Sequence, residues 1–596
     1  MKNKKLIVSV ISILIILILL LVLSYAFFKT QLSGTEGIVK VGELELVLNE
    51  TSEGIRLDNA IGLSDSEGLS LDSSTFKLIN NGSKAVDYII YLDDNTIGDT
   101  DTRIDDKYLK YNLNKNGINS GASMLTSIGK SPKRILDSGT IEGKGTNEYS
   151  LNLWITSDVD GNYSGQVFSG KLRVEVSQER PKPNTPELDT NMIAIRYNGS
   201  DFLKADSSTN SWYNYDKQEW ANAVTVSSNT RDRYLEAEVG TKIDMADIET
   251  MWVWIPRYSY SIGSEDGKKY YGKQGDYLDS TPTVALPGEI DVKFVDKNTK
   301  DRGTAKYVVS EGIERDSWYT PDAFTFGNEE LSGIWVGKFE TSSSDPSLGY
   351  GGGNTTSLDP MIRPNVTSWR NINVSNIYQV GLKLSAVGNR YGFSEKMNSH
   401  AMRNDEWGAV AYLSQSRYGK LGNRDYTGLN KEIYTNKSNS IITGCSYGRP
   451  SNNDSDYGCQ YTYDANINGI GASTTGTIYG VYDMSGGAWE YVMGNYNDVS
   501  GNSGFSNPLT IDSKYYNKYT NTDVRIACNG SECLSHSLSE TSGWYNDYHN
   551  MVTETYPWVV RGGIYTDSSS GVFDFNVSYV AAGGSSFRLV MSVISP

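Results

Sequence analysis

Ile478-Tyr479-Gly480-Val481-Tyr482-Asp483-Met484-Ser485-Gly486-Gly487-Ala488-Trp489-Glu490-Tyr491 anchors the reading of the C-terminal part of the chain. Two further blocks follow it: Val559-Val560-Arg561-Gly562-Gly563-Ile564-Tyr565, then Ser586-Phe587-Arg588-Leu589-Val590 at the end. Upstream, Asn404 to Leu413 reads as the start of a helix. Asn404 suits an N-cap, and Asp405 and Glu406 place two acids in the first turn. Trp407, Val410, Ala411 and Ser414 then share one face at i, i+3, i+4, i+7.

An acid-Trp helix followed in order by these three blocks resembles the formylglycine-generating-enzyme (sulfatase-modifying factor) family. That family's pattern runs through "YDM-x-GN-x-WEW", "RGGSW" and "FR". Gly333-Ile334-Trp335-Val336-Gly337-Lys338-Phe339-Glu340 resembles its early strand and extends the likeness to residues 331–596. The resemblance implies an irregular α+β fold of the C-type-lectin-like kind. The oxidising members hold copper with two cysteines just after the Gly-Gly pair; those places fall at Asp567 and Val572 here. Carboxylate and isopropyl groups do not replace thiolates around copper(I), so neither copper nor formylglycine generation is expected. The chain has three histidines, His400, His536 and His549, whose spacings suit neither a helix nor a strand pair, so an iron site is not expected either.

The resemblance also implies a structural calcium beside the "GN-x-WE" segment. Glu490 is retained and Gly487 stands at the asparagine position, so a site would rest on one carboxylate and backbone carbonyls. The plainer reading pairs Glu490 with an arginine or a backbone amide. Lectin-type folds hold binding loops on a rigid frame, which makes the stretch between Tyr565 and Phe587 a candidate ligand surface. Its candidates are Tyr565, Asp567, Phe573, Asp574 and Tyr579; an equally plain reading puts Phe573 in the core.

All four cysteines are late: Cys445, Cys459, Cys528 and Cys533. An even count in an exported chain suggests disulfides, with three pairings open. The most local pairing joins Cys445 to Cys459 and Cys528 to Cys533, each stapling a short excursion.

At the other end, Lys2, Lys4 and Lys5 precede an apolar run, Leu6 to Phe28, long enough to span a bilayer as a helix. Residues 1–5 then form a cytoplasmic tail and 6–28 a transmembrane anchor, with the bulk outside. Ser24-Tyr25-Ala26 offers the competing reading of a cleaved signal peptide, which also exports the rest. A net charge of −17 and a pI near 4.8 argue against nucleic acid as a partner.

Residues 36–178 read as a β-sandwich. Tyr149 to Trp154 and Lys171 to Val176 alternate polar and apolar, and Asn80-Asn81-Gly82-Ser83 marks a turn. The segment resembles the TasA/camelysin family of exported Gram-positive proteins in Val41 to Leu46, Phe76 to Ser83 with Tyr88, and Asn162 to Gln166. That resemblance implies a jelly roll and possible routes to self-association by strand exchange; the absence of histidine before His400 argues against the protease activity attached to part of the family. Residues 179–189, with Pro181, Pro183 and Pro186, read as a semi-rigid linker. Residues 190–330 read as an aromatic-rich β region, whose tryptophans are either a sugar-stacking platform or core.

The expected architecture is therefore multidomain: membrane helix, sandwich, and lectin-like head. The expected function is a surface-anchored, non-catalytic binding or adhesion module for an extracellular protein or glycan. The alternatives are a fibre subunit and an enzyme of unknown chemistry on the head.

Overall fold

The structure, a computed structural model, describes residues 30–33, 36–41, 44–50 and 55–58, and then 61–594 apart from 83–85, 99–100, 133, 142–143, 158–165, 178–181, 210, 263–289, 306–307, 311–312, 316–317, 421–431, 451–456, 521, 523–532 and 579–580. The membrane span read at 6–28 lies outside the described residues, as does the TasA-like piece Asn162 to Gln166, save Gln166 itself. Among the described residues no helix is long and apolar enough to cross a membrane. The chain forms two compact, sheet-rich units, dividing between Arg180 and Pro181.

The first unit is built from two sheets that share one core. One sheet runs Thr30–Ser33, Gln166–Ser177, Val86–Asp94, Ile135–Ile141; the other runs Ile118–Asn119, Leu109–Lys115, Thr146–Thr156, Ser74–Asn80, Leu44–Glu50, Glu36–Val41. Period-two alternation explains the burial. Phe76, Leu78 and Asn80 point inward from one strand, and Leu172 and Val174 from another. Arg173, expected on the polar face, is also buried. Its guanidinium reaches Asp93 at 2.6 Å and lies 3.9 Å from the Tyr91 ring, so the charge is paired rather than solvated.

The second unit centres on a seven-stranded sheet ordered Phe202–Lys204, Ile193–Tyr197, Asn222–Val226, Ile248–Pro256, Gly333–Gly337, Leu589–Val593, Met397–Ala401. Four strands from before residue 330 and three from after it join in this one sheet where Ile248–Pro256 pairs with Gly333–Gly337, so the boundary drawn at 330/331 separates no compact units. Ile248–Pro256 is buried at every position. Trp212, Trp220, Trp252, Trp254 and Trp335 are all fully buried, which makes these aromatics core rather than a sugar platform. Lys338, also fully buried, donates from Nζ to Asn222 Oδ1 (2.8 Å), the Ile478 carbonyl (2.6 Å) and the Gly480 carbonyl (3.0 Å). It thus ties the central strand to the 478–491 block, and burial pushes its ammonium well below the ordinary lysine value.

The 182–189 segment is not a free linker. Asn184 Nδ2 donates to the Val295 and Ser332 carbonyls, while the Trp254 and Trp335 indoles donate to the Asn184 and Glu187 carbonyls at 3.1 and 2.7 Å. Proline fixes an extended backbone whose carbonyls stay open to outside donors, and here two buried tryptophans use them.

The helix Asn404–Ser414 forms where the acid-Trp pattern placed it, but its N-cap is Arg403. Glu406 Oε2 accepts the Arg403 N–H at 2.7 Å. Asn404 is the first helical residue and spends its amide on Tyr519 and the His536 carbonyl. Every residue of this helix is buried, so no polar face exists.

Candidate functional site

The three C-terminal blocks meet in one place. Trp489–Tyr496 pairs antiparallel with Trp558–Arg561, Glu490 opposite Arg561, and parallel with Ser585–Phe587, Glu490 opposite Ser586. Gly486 and Gly487 both take positive φ, and a Cβ on Gly487 would lie 2.6 Å from Glu340 Oε1. A side chain there would be both strained and obstructed. Asp483 accepts from Asn436 Nδ2 (3.0 Å) and the Gly444 amide (2.9 Å), holding the 436–444 loop against the block.

Glu490 and Arg588 form a fully buried bidentate pair, Nη2 to Oε1 at 2.5 Å and Nε to Oε2 at 3.0 Å. Burial pushes the Glu490 carboxyl up to about 7 against the opposing pull of Arg588. Calcium ligation at Glu490 would require breaking this pair, and the Gly487 carbonyl already accepts the Tyr565 N–H at 3.1 Å. Among the described residues, no group of three or more His, Cys, Asp or Glu side chains is arranged to hold a metal.

The candidate loop residues divide. Phe573 is fully buried, edge-on to Trp544 at 5.2 Å, and Asp574 is buried beside Arg561 and Asp547. Neither reaches a surface ligand, a correction to the sequence reading: the loop turns inward after Ser570 and packs on Trp544. Burial holds Asp574 well above the carboxylate range and lifts Asp547 to about 8. Asp567 is half-buried and raised by burial; Val572, the other position matched to a copper cysteine, is buried. Tyr579 lies outside the described residues. Of this set Tyr565 is the described residue that is both partly exposed and has its ring against another aromatic.

That neighbour is Tyr457, edge-on at 5.6 Å and 42% exposed. Lys437 Nζ lies 5.5 Å from the Tyr457 ring and 5.2 Å from Tyr447, and Arg449 lies 5.0 Å from Tyr447. Arg370 is close enough to both Tyr565 and Tyr350 to feel their phenols, and lies 5.6 Å from the Tyr350 ring, itself 51% exposed. The result is a strip of four tyrosines interleaved with three cations. The Cys445–Cys459 disulfide, with Cα atoms 5.2 Å apart, brackets Tyr447 and Tyr457 and fixes both arms of the strip. Cys533 is also disulfide-bonded, and Cys528 lies outside the described residues. Sequence reasoning found Tyr565 and missed the rest. The available signal was two tyrosines inside one disulfide loop; Tyr350 and Arg370 gave none, being joined to it only by the fold.

The histidines are not gathered into one site. His400 Nε2 lies 2.9 Å from Glu406 Oε1, with Phe326 stacked on its ring at 4.8 Å. His536 Nδ1 lies 2.7 Å from the Tyr519 hydroxyl. His549 packs near Phe575.

No known family model matches the chain, and no curated protein does. Among solved structures, a GDSL-like lipase from Bacteroides ovatus aligns at 11% identity over 23% of this chain, with a TM-score of 0.09. The chain spans only 45% of that structure's length, and a likeness this slight carries no argument about fold or function.

Proposed function

We propose that this chain is a bacterial surface-anchored extracellular protein whose second unit is a non-catalytic binding module, reading an acidic polysaccharide along the Tyr350–Tyr565–Tyr457–Tyr447 strip. In this reading the second unit is a formylglycine-generating-enzyme-like, C-type-lectin-like frame without catalytic cysteines, and the first is a TasA-like, jelly-roll spacer. The observation that carries it is the strip itself. Tyrosine rings offer apolar faces to pyranose C–H groups, and the interleaved Arg370 and Arg449 offer partners to carboxylate or sulfate, with Lys437, 1% exposed, adding its charge from beneath. The chain as a whole carries −17 and would repel such a polymer, so attraction must come from these local cations and must weaken with salt.

Binding of the full chain to immobilised heparin and hyaluronan, with dextran as the neutral control, tests this by biolayer interferometry. The expected result is salt-sensitive capture by an acidic polymer, reduced about 10-fold or more by Tyr457→Ala with Tyr565→Ala, in line with about 1.4 kcal/mol per decade. Absence of capture by both acidic polymers, or equal capture by dextran, would sink the proposal.

A further inference from the structure

The second unit also carries a cleft of about 1040 Å³ that shares no residue with the tyrosine strip. Its size sits at the upper end of the range of about 300–1,000 Å³ typical of small-ligand pockets. Arg403 and Asp405, at the start of the Asn404–Ser414 helix, line it together with His536, and Tyr319 and Tyr516 contribute aromatic rings.

Each cation lining the cleft already has an acid. Arg302 pairs with Asp322 at 2.6 Å, Lys518 with Asp498 at 2.5 Å, Lys514 with Asp512 at 3.6 Å, and Arg403 with both Asp405 and Glu406. An anionic ligand would have to displace a carboxylate, and a cationic one a guanidinium or ammonium. The cleft is polar but electrically spoken for.

Its unmet needs are hydrogen bonds. Asp405 is 1% exposed and neither carboxylate oxygen has a partner of full hydrogen-bond geometry, the Asn517 side chain being the amide close enough to act on it; Arg403 Nη1 lies 3.3 Å from Oδ2, and Arg403 Nε is also unmatched. Buried polar atoms left so are uncommon and call for a partner. His536 supplies the complementary group. Asn404 Nδ2 donates to the Tyr519 oxygen at 2.7 Å, and the Tyr519 hydroxyl is hydrogen-bonded to His536 Nδ1 at 2.7 Å. His536 Nε2 has no hydrogen-bond partner among the described residues, and in either tautomer it can meet a hydroxyl. Burial, aided by Arg403 and Arg561, keeps the ring neutral, with its pKa pulled down to about 4.

We propose that this cleft is a binding site for an uncharged saccharide, whose hydroxyls would donate to the Asp405 carboxylate and hydrogen-bond with His536 Nε2. A hydroxyl is donor and acceptor at once, so one ring bearing neighbouring hydroxyls answers both orphaned groups, which a simple anion or cation does not. Tyr516, partly exposed in the wall, suits the apolar face of the same ring. The site differs from the tyrosine strip in residues and in ligand charge, and stands whether or not the strip binds a polymer.

The test is isothermal titration calorimetry of the full chain with chitotriose, cellotriose and maltotriose in turn. At least one trisaccharide should bind, and Asp405→Asn and Tyr516→Ala should each weaken it about 10-fold or more, while Tyr565→Ala leaves it unchanged. Tyr516 is only partly buried, so its variant keeps the test valid if Asp405→Asn fails to fold. Failure of all three sugars to bind, binding undiminished in Tyr516→Ala, or displacement of the sugar by equimolar sodium sulfate would each overturn the proposal.

Discussion

Arg588 and Glu490 form a buried pair whose value lies in being complete. Removing one partner of such a pair strands the other charge in the interior and typically costs about 3–5 kcal/mol. Arg588→Ala should therefore lower stability by about that much in urea denaturation, while Arg588→Met with Glu490→Leu should cost markedly less than the two single changes summed. A plain sum of the single effects would show that the two side chains act independently. The sequence named an arginine as the plain partner of Glu490 but could not say which, because 98 residues separate the two. A second pair of residues titrates in opposite senses. The buried His536 falls to about 4 from an ordinary 6.5. Between those values the unfolded chain binds more protons, so His536 contributes stability that is present above pH 6.5 and lost as pH falls through 4. Asp405 is pushed up to about 6 by burial, despite Arg403. It contributes stability on the acid side, present below its ordinary 3.8 and lost as pH rises through 6. Thermal unfolding from pH 4 to 7 should accordingly rise less steeply in His536→Gln than in the native chain, by up to about 3 kcal/mol, and more steeply in Asp405→Asn. Parallel curves for all three proteins would refute both assignments.

The Asn404–Ser414 helix shows propensity and packing in direct competition. Gly408 sits in its interior, where alanine would favour the helix by about 1 kcal/mol. A Cβ there would lie 1.9 Å from the Ser535 carbonyl oxygen, closer than any contact the backbone tolerates. Overpacking of this kind typically costs about 1–3 kcal/mol or more, so packing wins. Gly408→Ala should destabilise by about 2 kcal/mol or more in chemical denaturation, and a stabilised variant would show that the 533–542 segment is free to shift. The element itself was legible because local signals are strong: two acids, then a period near 3.6. Its N-cap was misplaced by one residue, because Asn404 is drawn to Tyr519, 115 residues away. The alternation of Lys171 to Val176 was legible for the same local reason, though Arg173 is buried by a partner on a neighbouring strand. The tyrosine strip was the opposite case. Tyr350 and Tyr565 come from loops far in sequence from each other and from the Cys445–Cys459 loop that carries Tyr447 and Tyr457, and no period or spacing connects the three. Only the disulfide bracket around two of the tyrosines left a trace in the sequence.

At the scale of the whole molecule, the segment between the two units shows how composition misleads about mechanics. Three prolines within six residues read as a spacer, yet the described part, from Lys182 on, belongs to the second unit. Proline density sets an extended backbone but says nothing of whether its carbonyls find donors. Here the indole N–H groups of Trp254 and Trp335, both fully buried, bond to the carbonyls of Asn184 and Glu187. Asp189 accepts from Ser394 N and Oγ, fixing the loop before Met397–Ala401. A fragment beginning at residue 190 would strand both indoles and the Ser394 donors, each unmatched buried group costing about 1–3 kcal/mol. The fragment 181–596 should thus be more stable than 190–596 by roughly 2–5 kcal/mol, read as a difference in urea midpoint at unchanged slope. A true spacer would make the two fragments melt together. Asn184→Ala separates the side chain from the backbone in this comparison. It removes the two amide bonds to Val295 and Ser332 but leaves both indole acceptors in place, so it should fall between the two fragments. If it matched 190–596, the amide rather than the extended backbone would be holding the segment in place.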